Sequence, residues 1–343
     1  MNTLIKYFSG SIIFAIVALS AVYIETGSLL LLGTVLTLAV IEIALSFDNA
    51  VVNAAQLSKM SIFWKKMFLY VGIFIAVIGM RVLFPIGIVS IVGDVSMSTA
   101  LDWALTNPTQ FEHTLISSHS MVAGFGGAFL SMVFLSFFMD KERDEFWLVP
   151  IEKPLAAIGS LDMVQAMIVG SLSYLVSLNM EHGGHEFFMA ALAGMIAFVV
   201  IEIIKHLLEG ATDEATANTA GTVAKAGLGT FIYIEILDSA FSADGVLASF
   251  AISSNVFVIA AGLGIGAMFV RSMTVMLDAT GTLKTYQYLE TGAFWSIGFL
   301  SASIMMEPFL EIPDYMIALT SVSIIIASVI HSAFDNRQEE STN

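Results

Sequence analysis

Residues 29–55 read LLLLGTVLTLAVIEIALSFDNAVVNAA, an apolar run broken by two acids, Glu42 and Asp48. A bilayer core about 30 Å thick is crossed by about 20 mostly apolar helical residues, so this run is long enough to span. Similar stretches extend outward from it at 8–24, 66–91, 121–139, 156–178, 187–207, 230–253, 256–277, 291–306 and 315–333. The whole chain fits this pattern. Of its 343 residues, 57% are hydrophobic and 12% charged, against about 25% charged in soluble domains. The expected fold is therefore all-α and polytopic, with about ten transmembrane helices in a lipid bilayer.

The basic residues give an independent count. With a cytoplasmic N-terminus, the cytoplasmic segments hold Lys6; Lys59, Lys65 and Lys66; Lys141, Arg143 and Lys153; Lys205 and Lys225; Lys284; and Arg337. The other two, Arg81 and Arg271, lie inside spans, and the loops on the far side have none. Positive charge is retained on the cytoplasmic side during insertion, so both ends are expected inside, in a multi-pass plasma membrane (the inner membrane of a bacterium). Lys6, an apolar run and Ala18-Leu19-Ser20 also fit a cleaved signal peptide, but the run leads straight into further spans, which favours a retained helix. The organisation expected is an extra N-terminal helix over 1–27, a transporter domain over 28–334 and a disordered tail over 335–343. The absence of cysteine removes disulfides and thiolate chemistry. A net charge of −16 argues against nucleic acid as a partner.

One motif occurs twice. Glu42-Ile43-Ala44-Leu45-Ser46-Phe47-Asp48-Asn49 and Asp238-Ser239-Ala240-Phe241-Ser242-Ala243-Asp244-Gly245 both read as acid, three residues, Ser, one residue, Asp, then Asn or Gly. The helix after each carries an arginine, Arg81 or Arg271, nine residues beyond a glycine, Gly72 or Gly262. The copies lie on the second and seventh spans, five places apart in order, and an odd offset turns the second upside down. Such an inverted repeat, here about 29–139 and 230–334, is common in secondary transporters that expose a midplane site alternately to either side.

Glu42, Asp48, Glu235, Asp238 and Asp244 all fall inside spans, and an ionised Asp at a helix centre costs about 2.5–3.5 kcal/mol on insertion scales. Arg81 and Arg271 can neutralise two of the five as structural ion pairs. Protons or a bound metal cation must answer the rest. The donors, these carboxylates with the Asn49 amide and the Ser46 and Ser242 hydroxyls, are hard oxygens suited to Mg²⁺, Ca²⁺ or Mn²⁺. On a straight helix at 100° per residue, Asp48 points about 240° away from Glu42. Both motif helices are therefore expected to unwind, near Asp48-Asn49 and near Asp244-Gly245.

These residues resemble the TerC family of integral membrane proteins. Glu42-x₃-Ser46-x-Asp48-Asn49 is similar to its first acidic motif, and Glu235-x₂-Asp238-x₂-Phe241-Ser242-x-Asp244 to its second. Arg81, Arg271-Ser272-Met273-Thr274 and Tyr288-Leu289-Glu290-x-Gly292-Ala293 look like the uncharacterised branch of that family. The resemblance implies Mn²⁺ export with the acidic motif residues as ligands. Gly245 stands where relatives often carry Ser, and the first helix and the long 92–120 loop are additions to the family pattern.

Other residues carry weaker signals. Asp162 and His119 read as candidate pathway residues, the second in a proton route; Glu202 reads as an end-of-helix acid. His182-Gly183-Gly184-His185 reads as a solvated loop, and Gly124, Gly126 and Gly127 as close-packing positions. The function expected is divalent-cation transport, Mn²⁺ export by alternating access, without organic cofactor or catalytic residues. A membrane assembly or stress scaffold is the main alternative. An intramembrane aspartyl protease is disfavoured, because that class carries Asp after a Gly-x-Gly turn.

Overall fold

The computed structural model describes residues 2–159, 163–210, 220–250, 252–310 and 312–342, with the side chains of 2–4, 209–210, 220–226, 244 and 338–342 outside the description. Its first helix, α1 (Asn2–Thr26), is apolar almost throughout. Ser28 starts the next: its hydroxyl accepts the Leu31 N–H at 3.3 Å, satisfying a donor that the first helical turn leaves open. That helix, α2 (Leu29–Leu45), stops at Ser46, and α3 (Phe47–Ser58) departs from it at 54°.

Next comes α4 (Ile62–Val92), which contains two π-helical stretches, Phe68–Gly72 and Ile75–Leu83. The stretch expected as a long loop at 92–120 is instead a pair of short helices, α5 (Met97–Thr106) and α6 (Pro108–Ser117). Local chemistry explains it. Ser96 caps Thr99, Asn107 caps Gln110, and Pro108 sits at the first helical position, where its missing N–H costs nothing.

The chain continues as α7 (His119–Phe138), α8 (Val149–Ile158), α9 (Val164–Asn179), α10 (Gly184–Gly210), α11 (Ala220–Phe250), α12 (Val256–Thr280), the single turn α13 (Thr282–Thr285), α14 (Leu289–Met306) and α15 (Asp314–Thr342). The span expected at 156–178 is divided: α8 ends at Ile158 and α9 begins at Val164. Asp162 lies outside the described residues. The tail expected to be disordered is helical as far as Thr342. Tyr288 Oη donates to Asp335 Oδ2 at 2.7 Å and Asn336 Nδ2 to the Thr285 carbonyl at 2.8 Å, so the tail's first turn is tied down and no Pro or Gly ends the helix after it.

Among the described residues the protein is all-helical, with six helices long and apolar enough to cross a membrane: α1, α4, α7, α10, α12 and α15. The bent pair α2–α3 makes a seventh. The other predicted spans fall on α9, which has 16 residues, and on α11 and α14. This is a helical membrane protein. Its outward faces carry large apolar side chains, such as Ile24 at 83% and Leu30 at 82% exposure, as hydrocarbon surroundings require.

The main core lies where α3, α4, α7, α10, α11 and α14 meet, around Phe68, Phe129, Phe187, Leu237 and Ile297. The expected close packing at Gly124 occurs: a side chain there would strike the Phe187 backbone of α10. A second cluster lies beneath α5 and α6, where Phe111 and Leu115 meet Val246, Phe250 and Ile259. On the far flank α1 packs on α12, tied by the Ser11–Ser272 hydroxyl pair at 2.7 Å.

Candidate cation site

The break at Ser46 sets up the site. Ser46 N–H still closes on the Glu42 carbonyl at 3.0 Å, and the next bond along the backbone is Ala50 N–H to Ser46 at 3.1 Å. Asn49 N–H turns instead to its neighbour's side chain, Asp48 Oδ1, at 2.8 Å. Asp48 therefore sits in the first turn of α3, where the helix dipole favours a carboxylate. It is 1% exposed and its Oδ2 has no hydrogen-bond partner. The expected unwinding is thus found in the first copy, two residues before the position predicted. It is absent from the second: α11 stays helical through Asp244 and Gly245. The Asp244 side chain lies outside the description.

The two copies meet across α3 and α11. Asn49 Nδ2 donates to Asp238 Oδ1 at 2.6 Å. A carboxylate only accepts, so this contact fixes the amide and turns Asn49 Oδ1 away from it. That oxygen is buried and unpartnered, and so is Asn53 Oδ1 one turn further along α3. Asn53 is 1% exposed. Comparing the two motifs could not find it, because the match ends at Asn49. Its i+4 spacing from Asn49 on an apolar helix was the available signal.

The arginines divide the acids unequally. Arg81 pairs with Glu42 and donates to the Ala76 carbonyl at 2.9 Å. Arg271 makes two bonds to Glu235, at 3.1 and 2.8 Å, a third to Asp238 Oδ2 at 3.3 Å and a fourth to the Phe68 carbonyl at 2.7 Å. Its guanidinium also lies over the Phe68 ring, 4.4 Å from the centroid. Each arginine thus takes a carbonyl from a π-helical stretch of α4; such bulges recur at functional positions. Gly72 leaves room for the second pair, since a side chain there would strike Arg271 and Glu235. The counterpart for the first pair is Gly266, against Glu42, and not Gly262, which packs on Leu38.

The described candidate ligands are buried: Glu42, Ser46, Asp48, Asn49, Glu235, Asp238 and Ser242, with Arg81 and Arg271. Four carboxylates there face two guanidiniums. Among the described residues no three His, Asp or Glu side chains gather as a metal-binding group; Arg81 is paired with Glu42, and Arg271 with Glu235 and Asp238. His119 stands away from this cluster, paired with Glu307 at 3.0 Å at the start of α7.

Two cavities flank the cluster along shared helices. One, of about 870 Å³, is polar and lined by Gln56, Lys59, Arg143, Glu202, Lys205 and Glu290 among others. The other, of about 760 Å³, is nearly all apolar, lined by Met80, Ile88, Phe125, Met189, Ala240 and Ala243, with His185 and Glu186 beside them. The later parts of α7 and α10 line the first cavity, and their earlier parts the second. The reverse holds for α11, so the cavities lie at opposite ends of the bundle.

A family model described as a protein of unknown function, DUF475, matches residues 47–339. The chain belongs to the DUF475 family. The match opens at Phe47, the first residue after the break, so the DUF475 region takes in α3 with its Asp48-Asn49 turn, both arginines and the whole second motif. No curated protein and no solved structure matches the chain.

Proposed function

We propose that this DUF475 protein transports a hard divalent cation across the inner membrane, with Mn²⁺ the leading substrate and Ca²⁺ the nearest alternative. The observation that carries the reading is Asp48: a buried carboxylate without a basic partner among the described residues, beside the outward-turned amide oxygen of Asn49. Buried charges are paired or hold metal ions. Here Glu42, Glu235 and Asp238 have guanidiniums, while Asp48 Oδ2, Asn49 Oδ1 and Asn53 Oδ1 are acceptors only. An oxygen set of that kind suits Mg²⁺, Ca²⁺ or Mn²⁺.

In this reading the chain crosses the bilayer ten times with both ends inside, and the motif helices are the arms of an inverted repeat of the kind the TerC resemblance implies. The polar cavity, with Lys59, Arg143 and Lys205 around it, is the cytoplasmic mouth. The apolar cavity closes the other side. Alternating access then exchanges water between the two ends of α7, α10 and α11 around a fixed carboxylate site. Glu42–Arg81 and the Glu235–Asp238–Arg271 cluster hold the two halves in register and do not themselves bind the ion.

The test is flux from proteoliposomes loaded with Mn²⁺. Asp48→Asn keeps the volume and removes the charge, and should reduce release by about a hundredfold, as expected when a site loses a carboxylate that has no basic partner among the described residues. Release equal to that of the parent chain would end the proposal. Loss of metal resistance in cells with no change in flux would favour the scaffold reading.

A further inference from the structure

Asn49, Asn53 and Gln56 stand at i, i+4 and i+7 on α3, which places all three amides on one stripe of the helix. At 1.5 Å per residue the stripe is about 10 Å long. Its inner end is the Asp48–Asn49 turn, in contact with Asp238. Its outer end, Gln56, lines the 870 Å³ polar cavity together with Lys59. Between them Asn53 is 1% exposed, with its carbonyl oxygen unpartnered. Amides buried for packing alone find donors, since leaving one acceptor unmet costs about 1–3 kcal/mol. The cavity at the opposite end of the bundle is lined almost wholly by hydrocarbon, Met80, Ala240 and Ala243 included.

We infer that this amide stripe is the route by which a divalent cation passes between the polar cavity and the buried carboxylates, with Asn53 as an intermediate binding station. The inference rests on the transport reading and adds the path to it. A neutral amide oxygen suits the task. It replaces part of the hydration shell, yet lacks the full charge that would hold a divalent ion too firmly to leave. Asn53 passes the ion to Asp48 Oδ2 and Asn49 Oδ1, five and four residues nearer the break.

The chain has no cysteine, so single thiols can be placed without background. Gln56→Cys, Asn53→Cys and Ala243→Cys are made in the full chain, reconstituted in proteoliposomes opened to both sides, and reacted with a cationic, water-soluble methanethiosulfonate. Gln56→Cys should react fastest. Asn53→Cys should react measurably, and saturating Mn²⁺ should slow it about tenfold, the protection expected of an ion bound at that level. Ala243→Cys should stay unreacted.

No reaction at Asn53→Cys, or a rate indifferent to Mn²⁺, overturns the path. Because Asn53→Cys could disturb folding, Asn53→Ala is assayed alongside for Mn²⁺ flux. A tenfold fall supports the station, and parental flux overturns it. The two proposals fail differently. Parental flux in Asp48→Asn with Mn²⁺ protection at Asn53→Cys removes transport through that carboxylate and keeps a binding path. Normal dependence on Asp48 with an inert Asn53→Cys does the reverse.

Discussion

The two motif helices carry similar residues and fold differently. The first breaks at Ser46 and leaves Asp48, Asn49 and Asn53 with unmet oxygens. The second runs unbroken from Ala220 to Phe250, and its Glu235 and Asp238 are tied to one guanidinium. The difference teaches that sequence symmetry here does not mean equal labour. The straight helix commits Glu235 and Asp238 to pairing with Arg271. The bent one leaves Asp48 Oδ2 without a hydrogen-bond partner in the first turn after the break.

The pairing asymmetry can be broken first at its largest member. Removing one partner of a buried ion pair costs about 3–5 kcal/mol. Arg271→Gln strands two carboxylates and should fall at the top of that range, and Arg81→Gln, which strands one, at the bottom. Thermal unfolding in detergent measures both, and equal losses would mean that the pairs are equivalent after all.

A smaller effect is expected at the glycine that houses the larger cluster. Gly72→Ala pushes a methyl group into a guanidinium held by four hydrogen bonds, an overpacking cost of about 1–3 kcal/mol. On the same helix Gly79→Ala meets only Ile75 Cγ2 at 3.6 Å. It should be neutral or gain up to about 1 kcal/mol of helix propensity. A shared melting shift for the two would remove the special role given to Gly72.

Asp48→Asn sharpens the contrast from the other side. With no basic partner to strand among the described residues, it should change stability by less than about 1 kcal/mol, while the same carboxylate-to-amide change at Glu235 leaves Arg271 short of a bidentate partner and costs more. Urea unfolding of the two variants decides. The smallest change belongs to Lys65→Met at the rim of α4. Its bridge to Asp278, at 2.6 Å, involves a lysine side chain 30% exposed, so the loss should stay below about 1 kcal/mol and shrink with added salt.

Much of this was legible in the residues themselves. Glu42, Asp48, Glu235 and Asp238 could be picked out because an acid inside an apolar run has so few explanations. Their two arginines followed from the same reasoning, and Gly124 was correctly read as a point of close packing. The unwinding at Asp244-Gly245 was inferred from the parallel with Asp48-Asn49, and the parallel failed: Glu235 and Asp238, three apart, already share a face toward Arg271 on an intact helix. The contacts that Tyr288 and Thr285 make with Asp335 and Asn336, about fifty residues on in the chain, lie likewise beyond any local pattern.

Composition and periodicity determined by themselves that this chain lives in hydrocarbon as helices, since no other backbone arrangement built from such runs satisfies its own hydrogen bonds there. They also located the buried charge. Which acid meets which arginine, which glycine makes room for it, and which oxygens are left unmet depended on helices far apart in sequence coming within contact distance. Pairing energies fall off over a few ångströms, and spacing along one helix carries no information about the next.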